Sequence, residues 1–282
     1  HTDSSLGASS NASWRDLTSI IPANGTVNSI ESDTGGLNNG VNWSAVEVNG
    51  RLLVDSGVSV TNVPSVASTC RANPSTGCSI VTWTGQSSGS ATIGHGLNAA
   101  PEFIILKGLT GSVGWTVGHQ SIGWTKRLQL NTTAGESASS NYWNDTAPTS
   151  TVFSVGTRNA TNKSGDDLVA YVFAEIKGYS KFGSYRGNIT SGDEGMFVYT
   201  GFKPAWLMVK SDSNSGQEWV IFDNKRDPFN VADAWIYAQT TTVEDSGGAE
   251  RDVDFLSNGF KFRNAGGPTT YDGRTYIYLA FA

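Results

Sequence analysis

The sequence predicts an all-β protein made of two tandem, duplicated antiparallel β-sandwich units of jelly-roll type, preceded by the closing strands of another β-domain. Three observations predict this fold. The chain of 282 residues has 33 glycines and 9 tryptophans but only 16% charged residues, a composition typical of strands joined by polar turns. Strand-like runs recur at intervals of roughly 8 to 15 residues, with Gly, Asn and Ser between them. One set of motifs also occurs twice in the same order, about 100 residues apart.

The first strand signal lies near the end of residues 1–62. The segment VNWSAVEVNGRLLVDSG places Asn49-Gly50 between two strand-like runs, which is the strongest short-range signal for a hairpin. We predict a β-hairpin over residues 41–55 and interpret it as the closing edge of a partial N-terminal β-domain. The polar residues 63–77 follow this domain, and we predict that they form a linker.

The duplicated units are predicted at residues 78–177 and 178–282. Their most similar segments are PEFIILK at 101–107 and PAWLMVK at 204–210. Further matched pairs are GCSIVTWTG with GYSKFGSYRG, GWTVGHQ with EWVIFDN, LQLNTTAGE with IYAQTTTVE, VFSVGTRNA with GFKFRNAGG, and LVAYVFAE with YIYLAFA. A fixed internal period with the order preserved indicates a duplicated architecture.

The segment PEFIILK predicts a central strand that is covered on both sides. Because side chains alternate along a strand, Phe103, Ile105 and Lys107 share one face, while Ile104 and Leu106 share the other. Both faces are largely apolar, as expected for a strand buried on two sides. The last strand of each copy has the same character, so we expect the C-terminal residues of the chain to be ordered core.

Charge and hydropathy exclude two classes of partner. The net charge is −6, and no block of Lys or Arg is present that could neutralise phosphates, so we expect no nucleic-acid binding. The apolar runs are far shorter than the roughly 18 to 20 residues needed to span a bilayer, so we expect no membrane insertion.

Cys70 and Cys78 are the two cysteines of the chain, in the segment CRANPSTGC. A disulfide across this short loop is one interpretation, and it would suit an oxidising or extracellular setting. Two unbonded thiols, with Cys78 in a strand, are the equally supported alternative.

The sequence contains no recognisable catalytic or metal-binding motif. His95 and His119 have no histidine counterpart in the other copy, and neither stands in a metal-ligand spacing. The acidic segment at 243–254 could supply paired carboxylates for glycoside hydrolysis, but its Gly-rich turns favour solvated loop acids. We therefore predict a protein that is not an enzyme and that uses neither a metal nor a cofactor.

Recognition of a glycan is the remaining site hypothesis. The segment NYWNDT contains Tyr142, Trp143 and Asp145, SIGWTKR contains Trp124, and ADAWIYA contains Trp235. An exposed ring can cover the apolar face of a sugar while neighbouring polar groups bind its hydroxyls, so these five residues are the candidate glycan contacts. The alternative is that the rings fill the core between the sheets, as aromatic side chains usually do.

Several ordered segments resemble a known family. SIVTWTGQSSGSATIGHGLNAAPEFIILK, YVFAEIKGYSKFGSYRGN, FVYTGFKPAWLMVK and WVIFDNKRDPFNV are similar to a duplicated β-domain of bacteriophage virion proteins, found in large tail-fibre or tail-tip proteins of marine and aquatic phages. The likeness covers residues 65–282. The block before it resembles the lectin-like jelly-roll domain that precedes the pair in those proteins.

The resemblance implies an extracellular, virion-located structural protein, a tail fibre or related appendage that takes part in host attachment. Its expected partners are other virion proteins, further copies of the same chain with a trimer as the first hypothesis, and a glycan of the host cell surface. The resemblance supplies no catalytic residue. Two rival hypotheses are a secreted or surface lectin-like adhesin and a depolymerase that degrades host polysaccharide.

Overall fold

The structure is a computed structural model that describes residues 46–48, 51–53 and 64–282, apart from 87–88, 189–194, 214, 247–250 and 264–266. Residues Glu47 to Ala282 form one compact unit. Most of the predicted N-terminal domain, residues 1–62, lies outside the described residues. Within the described ranges, no helix is long and apolar enough to cross a membrane.

Antiparallel strands make up nearly all of the regular structure, which confirms the all-β fold class. The strands are β1 Val46–Val48, β2 Arg51–Leu53, β3 Ser68–Asn73, β4 Cys78–Thr84, β5 Ala91–Gly94, β6 Phe103–Gly108, β7 Thr116–His119, β8 Lys126–Gln129, β9 Ser137–Ala138, β10 Val152–Val155, β11 Asp167–Phe173, β12 Ser180–Arg186, β13 Phe197–Tyr199, β14 Trp206–Ser211, β15 Val220–Asp223, β16 Ile236–Tyr237, β17 Val253–Leu256, β18 Gly259–Phe262 and β19 Thr275–Phe281. The helices are single turns: α1 Ser140–Trp143, α2 Asn159–Asn162, α3 Gly267–Thr270 and the 3-10 turn Gln120–Ile122.

The predicted hairpin is present, because β1 and β2 are neighbours in the sheet on either side of Asn49-Gly50. The predicted linker, in contrast, contains a strand. Strand β3 pairs along its whole length with β4, and β2 pairs with β3 through Arg51 opposite Thr69. Residues 68–73 therefore extend the sheet of the first repeat, and the prediction of a linker is wrong for them.

The two repeats share one topology. The large sheet of repeat 1 has the order β4-β11-β6-β7-β8, and the large sheet of repeat 2 has the order β12-β19-β14-β15-β16. A second, smaller sheet contains β10 and β5 in repeat 1, and β18 and β13 with β17 in repeat 2. In both repeats the last strand therefore lies between the first and the third, as expected for copies of one unit.

The registers of the two copies also agree. Phe103 of β6 faces Phe173 of β11, and at the same place in repeat 2 Trp206 faces Phe281. Since the paired strands begin and end at matching positions, the register assigns structural equivalents residue by residue.

Each repeat has its own core between its large and small sheets. In repeat 1 this core is formed by Val81, Trp83, Ile93, Ile104, Leu106, Phe153, Leu168, Ala170 and Val172, among others. In repeat 2 it is formed by Tyr185, Leu207, Val209, Phe222, Phe255, Phe260, Phe262, Tyr276 and Tyr278, among others. Full burial of each such aliphatic or aromatic side chain contributes about 1.5–3 kcal/mol, before the entropy of ordering is subtracted.

A third core joins the repeats. Its buried members are Phe103, Val117, Ile122 and Leu128 from repeat 1, and Phe182, Met208, Trp219, Ile277 and Leu279 from repeat 2. These residues lie on the faces of the large sheets that point away from the small sheets, so the two large sheets cover each other. This confirms that β6 and β14 are buried on both sides, and it identifies the second cover as the other repeat.

Hydrogen bonds cross the same boundary. The Trp219 indole N–H donates to the carbonyl oxygen of Gln129 at 2.9 Å, and the Gln120 side-chain amide donates to the carbonyl oxygen of Phe182 at 2.8 Å. The Gly216 backbone N–H donates to a carbonyl oxygen of repeat 1 at 2.9 Å. Directional bonds of this kind fix the orientation of the repeats in addition to the apolar contact.

The C-terminal strand is ordered core, as predicted. Strand β19 lies between β12 and β14, and Tyr276 to Ala280 are all at most 3% exposed. Its side chains alternate between the repeat 2 core and the core that joins the repeats.

The structure contradicts the disulfide. Cys78 pairs with Asn73 and Cys70 pairs with Val81, which places the cysteines three residues apart along the ladder and on opposite faces of the hairpin. Three residues of a strand span about 10 Å, beyond the Cα separation of about 7 Å that a disulfide tolerates. The Cys70 thiol instead donates to the carbonyl oxygen of Gly94 at 3.2 Å.

Candidate functional site

The structure buries the tryptophans that were predicted to contact a glycan. Trp143 is 0% exposed, Trp235 is 1% exposed and Trp124 is 9% exposed. Their faces are covered by protein and cannot cover a sugar, so the prediction of an exposed tryptophan surface is wrong. The alternative that these rings fill the core is the one the structure supports.

Trp124 and Trp143 fill a hole that a glycine creates. Their rings meet edge to face, with centroids 5.4 Å apart. A Cβ atom at Gly118 would lie 2.4 Å from the Trp124 ring and 2.9 Å from the Trp143 ring. The register places Gly118 opposite Ile104, and the equivalent position of repeat 2 holds Phe222. One repeat therefore fills this volume with two tryptophans above a glycine, and the other uses a phenylalanine.

The remaining two predicted contacts have different surroundings. Asp145 is exposed and has a positive φ of 47° in the turn after α1. Tyr142 is 7% exposed and lines a surface cleft of about 530 Å³. Tyr142 is the only one of the five predicted residues among those that line this cleft.

The cleft is polar and carries two arginines. It is lined by Arg127 of β8, Tyr142 of α1, Arg158 before α2, and by Gln129, Asn141, Thr157 and Asn159. The Arg127 guanidinium carbon lies 4.2 Å from the centre of the Tyr142 ring, and that of Arg158 lies 6.0 Å from it. The tyrosine face therefore holds guanidinium groups, and it is not available to stack on a sugar.

Backbone contacts fix the rim of the cleft. The Gly156 N–H donates to the Tyr142 carbonyl oxygen at 2.8 Å, and the Arg158 N–H donates to the Asn141 carbonyl oxygen at 2.9 Å. A Cβ atom at Gly156 would lie 2.4 Å from the Asn141 backbone, so only glycine allows this approach. The Thr157 hydroxyl also donates to the Asn141 side-chain oxygen at 3.3 Å. These hydrogen bonds thus hold residues 141–142 and 156–158, which carry several of the cleft side chains, against each other.

The charge of the cleft differs from that of the chain. The chain carries a net charge of −6, but the residues lining the cleft include two arginines and no Asp or Glu. No carboxylate in the described part of the chain forms a salt bridge with Arg127 or Arg158. The Arg127 Nε atom is buried without a hydrogen-bond acceptor in the described structure. The cleft therefore presents positive charge that no described carboxylate neutralises, beside one buried N–H donor without an acceptor.

Both histidines inside the repeats are buried and neutral. The Leu97 N–H donates to His95 Nδ1 at 3.2 Å, and the Ser121 N–H donates to His119 Nδ1 at 3.0 Å. Each Nε2 then donates to a backbone carbonyl, that of Thr149 for His95 at 3.1 Å. Burial lowers the pKa of each histidine to about 4, despite the carbonyl contact.

Repeat 2 replaces these histidines with other acceptors. At the position of His95, the Thr200 hydroxyl accepts a long bond from the backbone N–H two residues later at 3.5 Å. At the position of His119, an Asp223 side-chain oxygen accepts from the N–H of Lys225 at 3.0 Å. The common requirement is a side chain that caps a backbone amide, so the histidines have a structural role.

One carboxyl group at the boundary of the repeats is strongly perturbed. Burial, followed by the charge of Glu175, raises the pKa of Glu102 to about 7. The Gln120 amide donates to Glu102 at 2.9 Å, and Lys181 forms an ion pair with Glu175 at 2.7 Å. Among the described residues, no group of three or more His, Cys, Asp or Glu could hold a metal ion.

Sequence reasoning missed the arginines of the cleft. Arg127 is the last residue of SIGWTKR, the segment that also contains Trp124, and Arg158 lies in VFSVGTRNA. One signal was available, because the duplicated segments differ at these positions. The register equates Arg127 with Trp235, so a cation replaces a buried ring at a matching place.

The fold and the cleft together define an all-β tandem-repeat protein with a cationic surface site. The chain belongs to the family of DUF7483, a domain of unknown function, whose model matches residues 6–282. The matched region includes both repeats and most of residues 1–62. No curated protein and no solved structure matches the chain.

Proposed function

We propose that this chain is a non-enzymatic structural protein of a virion, part of a tail fibre or related appendage, that attaches the particle to the host surface. The observation that carries the proposal is the core shared by the two repeats. A module that must hold its shape between particle and cell is served by repeats that cannot move relative to each other. The resemblance of residues 65–282 to duplicated domains of phage appendages supports the same function.

The capping role of the histidines supports the non-enzymatic part of the proposal. His95 and His119 use both ring nitrogens for backbone contacts, which leaves neither nitrogen available as a general base. Incubation with host capsule or lipopolysaccharide should therefore produce no new reducing ends. A steady release of reducing ends by the purified chain would instead favour the depolymerase.

Immunogold electron microscopy tests the location. Antibodies raised against the purified chain should label an appendage of intact virions, and preincubation with the chain should abolish the labelling. Labelling confined to the surface of uninfected cells would contradict the proposal and favour the lectin-like adhesin.

The proposal retains other virion proteins and a homotrimer as partners. Light scattering on the purified chain should give three times the monomer mass of 29.9 kDa. A monomer at micromolar concentration would contradict the trimer without affecting the location.

A further inference from the structure

We infer that the cleft of repeat 1, formed around Arg127, Tyr142 and Arg158, binds a carboxylate-bearing sugar unit of a surface polysaccharide. This inference rests on the proposed attachment function and names the class of ligand for it. It follows from the charge, the buried unpaired donor and the neutral polar groups of the cleft, and from the comparison with repeat 2.

The first argument is charge. Two guanidinium groups stand at one tyrosine ring, and the lining contains no carboxylate to neutralise them. Arginine stays protonated at all physiological pH values, so the cleft attracts anions. On a chain with a net charge of −6, an uncompensated pair of cations is a local exception.

The second argument is the buried unpaired donor. Arg127 has a buried Nε with no acceptor, and a buried unpaired donor is unfavourable. Stacking on Tyr142 holds its guanidinium plane in place before any ligand arrives. A planar, preoriented guanidinium matches a carboxylate through two parallel N–H···O bonds, which are stronger and more selective than bonds to a neutral acceptor.

The third argument is the neutral polar lining. Asn141, Thr157 and Asn159 are exposed beside Arg158, and Gln129 stands next to Arg127. Amide and hydroxyl side chains recognise hydroxyl groups, so the cleft suits a ligand that has hydroxyls as well as an anionic group. A uronic acid or a related acidic sugar combines both, whereas a simple fatty-acid carboxylate has no hydroxyls to match.

The fourth argument is the comparison with repeat 2. Its equivalent of Arg127 is Trp235, which is 1% exposed and lies beneath Arg251, with the guanidinium carbon 4.9 Å from the ring. Repeat 2 thus also has an arginine on an aromatic ring, but there the ring, and not the arginine, occupies the position that corresponds to Arg127. Among the described residues, two guanidinium groups meet one tyrosine ring in repeat 1, so we assign binding to that repeat.

Isothermal titration with two matched probes tests the inference. The acidic probe is a trisaccharide of galacturonic acid, and the neutral probe is the corresponding trisaccharide of galactose. We expect the acidic probe to bind at least ten times more tightly than the neutral one, and to bind more weakly as NaCl is raised from 50 to 300 mM, because salt screens the cations. Equal binding of both probes, or no binding of the acidic probe at 10 mM, would overturn the inference.

Variants locate the site. Arg158 is exposed, so Arg158→Ala should fold normally and reduce affinity for the acidic probe at least tenfold. Arg186→Ala removes an exposed arginine of β12 outside the cleft and should leave the affinity unchanged. Equal losses in both variants would overturn the site. Arg127→Ala is the less suitable variant, because its side chain packs on Tyr142.

Two further measurements separate the outcomes. If glycerol phosphate binds at the cleft and the acidic trisaccharide does not, the inference about carboxylates is wrong. Competition with particles for adsorption to host cells tests attachment itself. Competition that survives Arg158→Ala would overturn the cleft as the site while leaving the attachment function intact, whereas loss of competition only in Arg158→Ala supports both.

Discussion

The two repeats are copies of one scaffold that have diverged at the surface and at the caps, but not in the strands that join them. Strands β6 and β14 have the same register and the same two buried faces. In contrast, the strand position of Arg127, which lines a cationic cleft in repeat 1, holds the buried Trp235 in repeat 2. The difference teaches that duplication supplied a second cover for the large sheet, and that the same strand position holds a surface cation in one copy and a core ring in the other.

The largest effect should come from removing what both repeats share. Deletion of residues 276–282 removes most of β19, the strand between β12 and β14. It also removes Ile277 and Leu279 from the core that joins the repeats, so repeat 1 loses its cover as well. We expect no cooperative thermal transition by circular dichroism.

Removal of Ala282 alone is the control for this deletion, because that residue is exposed. It should melt like the full chain. A chain lacking residues 276–282 with an unchanged melting curve would show that β19 does not support the fold.

A single substitution in the core that joins the repeats should still affect the stability of both repeats. Leu279 is 2% exposed, and Leu279→Ala should cost about 2–5 kcal/mol of unfolding free energy. Because the core is common, hydrogen exchange should accelerate in β6 of repeat 1 as well as in β14 of repeat 2. The matched control is Leu109→Ala, 60% exposed, which should stay within about 0.5 kcal/mol of the parent. Exchange that accelerates only in repeat 2 would mean that the repeats are energetically independent.

Acid should weaken repeat 1 through its histidine caps. The pKa of His95 falls from 6.5 to about 4 on folding, so the unfolded chain binds more protons in this range. The contribution of neutral His95 to the free energy of unfolding is therefore complete above pH 6.5 and is lost as the pH falls from about 6.5 to about 4. At pH 5 the loss is about 2 kcal/mol per histidine.

The variant His95→Thr places at this position the residue type that caps the amide in repeat 2. It should remove the contribution of His95 to the pH dependence of the unfolding free energy. Denaturant unfolding at pH 7 and pH 5 measures it, and the difference from the parent cancels the other titrating groups. Glu102, with a pKa raised to about 7, acts in the opposite sense, because its stabilising protonated form is lost as the pH rises from 4.5 to about 7. An unchanged pH dependence in His95→Thr would contradict the buried neutral histidine.

The packing difference at Gly118 should give an effect on stability that stays within repeat 1. Gly118→Ala forces a Cβ atom into the Trp124 and Trp143 rings and should cost about 1–3 kcal/mol in chemical denaturation. Gly114→Ala is the control, because the atom nearest to its Cβ, at 2.7 Å, is the flexible amide end of Gln129. If the two variants are equally stable, the tryptophans are not packed as closely as described.

Much of the fold could be predicted from the sequence, because the duplication presents each strand twice. The alternation in PEFIILK identified a strand buried on both faces, but it could not identify the cover, which depends on how two sheets meet. The strand at residues 68–73 was missed since its polar side chains are exposed at the edge of repeat 1. Local composition therefore indicated a linker where pairing with β4 decides the structure.

The site was predicted less well for a physical reason. Tryptophans with polar neighbours in the sequence occur both in exposed loops and in loops whose ends are buried. For Trp124 and Trp143, only the space above Gly118 shows that the rings are buried. The cleft depends on Arg127 and Arg158, which stand 31 positions apart in the sequence and lie close to the same tyrosine ring. The proximity of these two arginines arises only in the folded chain.

The most direct test of the account is a glycan array probed with three proteins: the parent chain, Arg158→Ala and Arg186→Ala. We expect signals on acidic glycans for the parent and for Arg186→Ala, and their loss for Arg158→Ala, because Arg158 lines the proposed binding cleft of repeat 1 and Arg186 lies outside it. Acidic-glycan signals that persist in Arg158→Ala, or that disappear in Arg186→Ala, would contradict this division between the two copies.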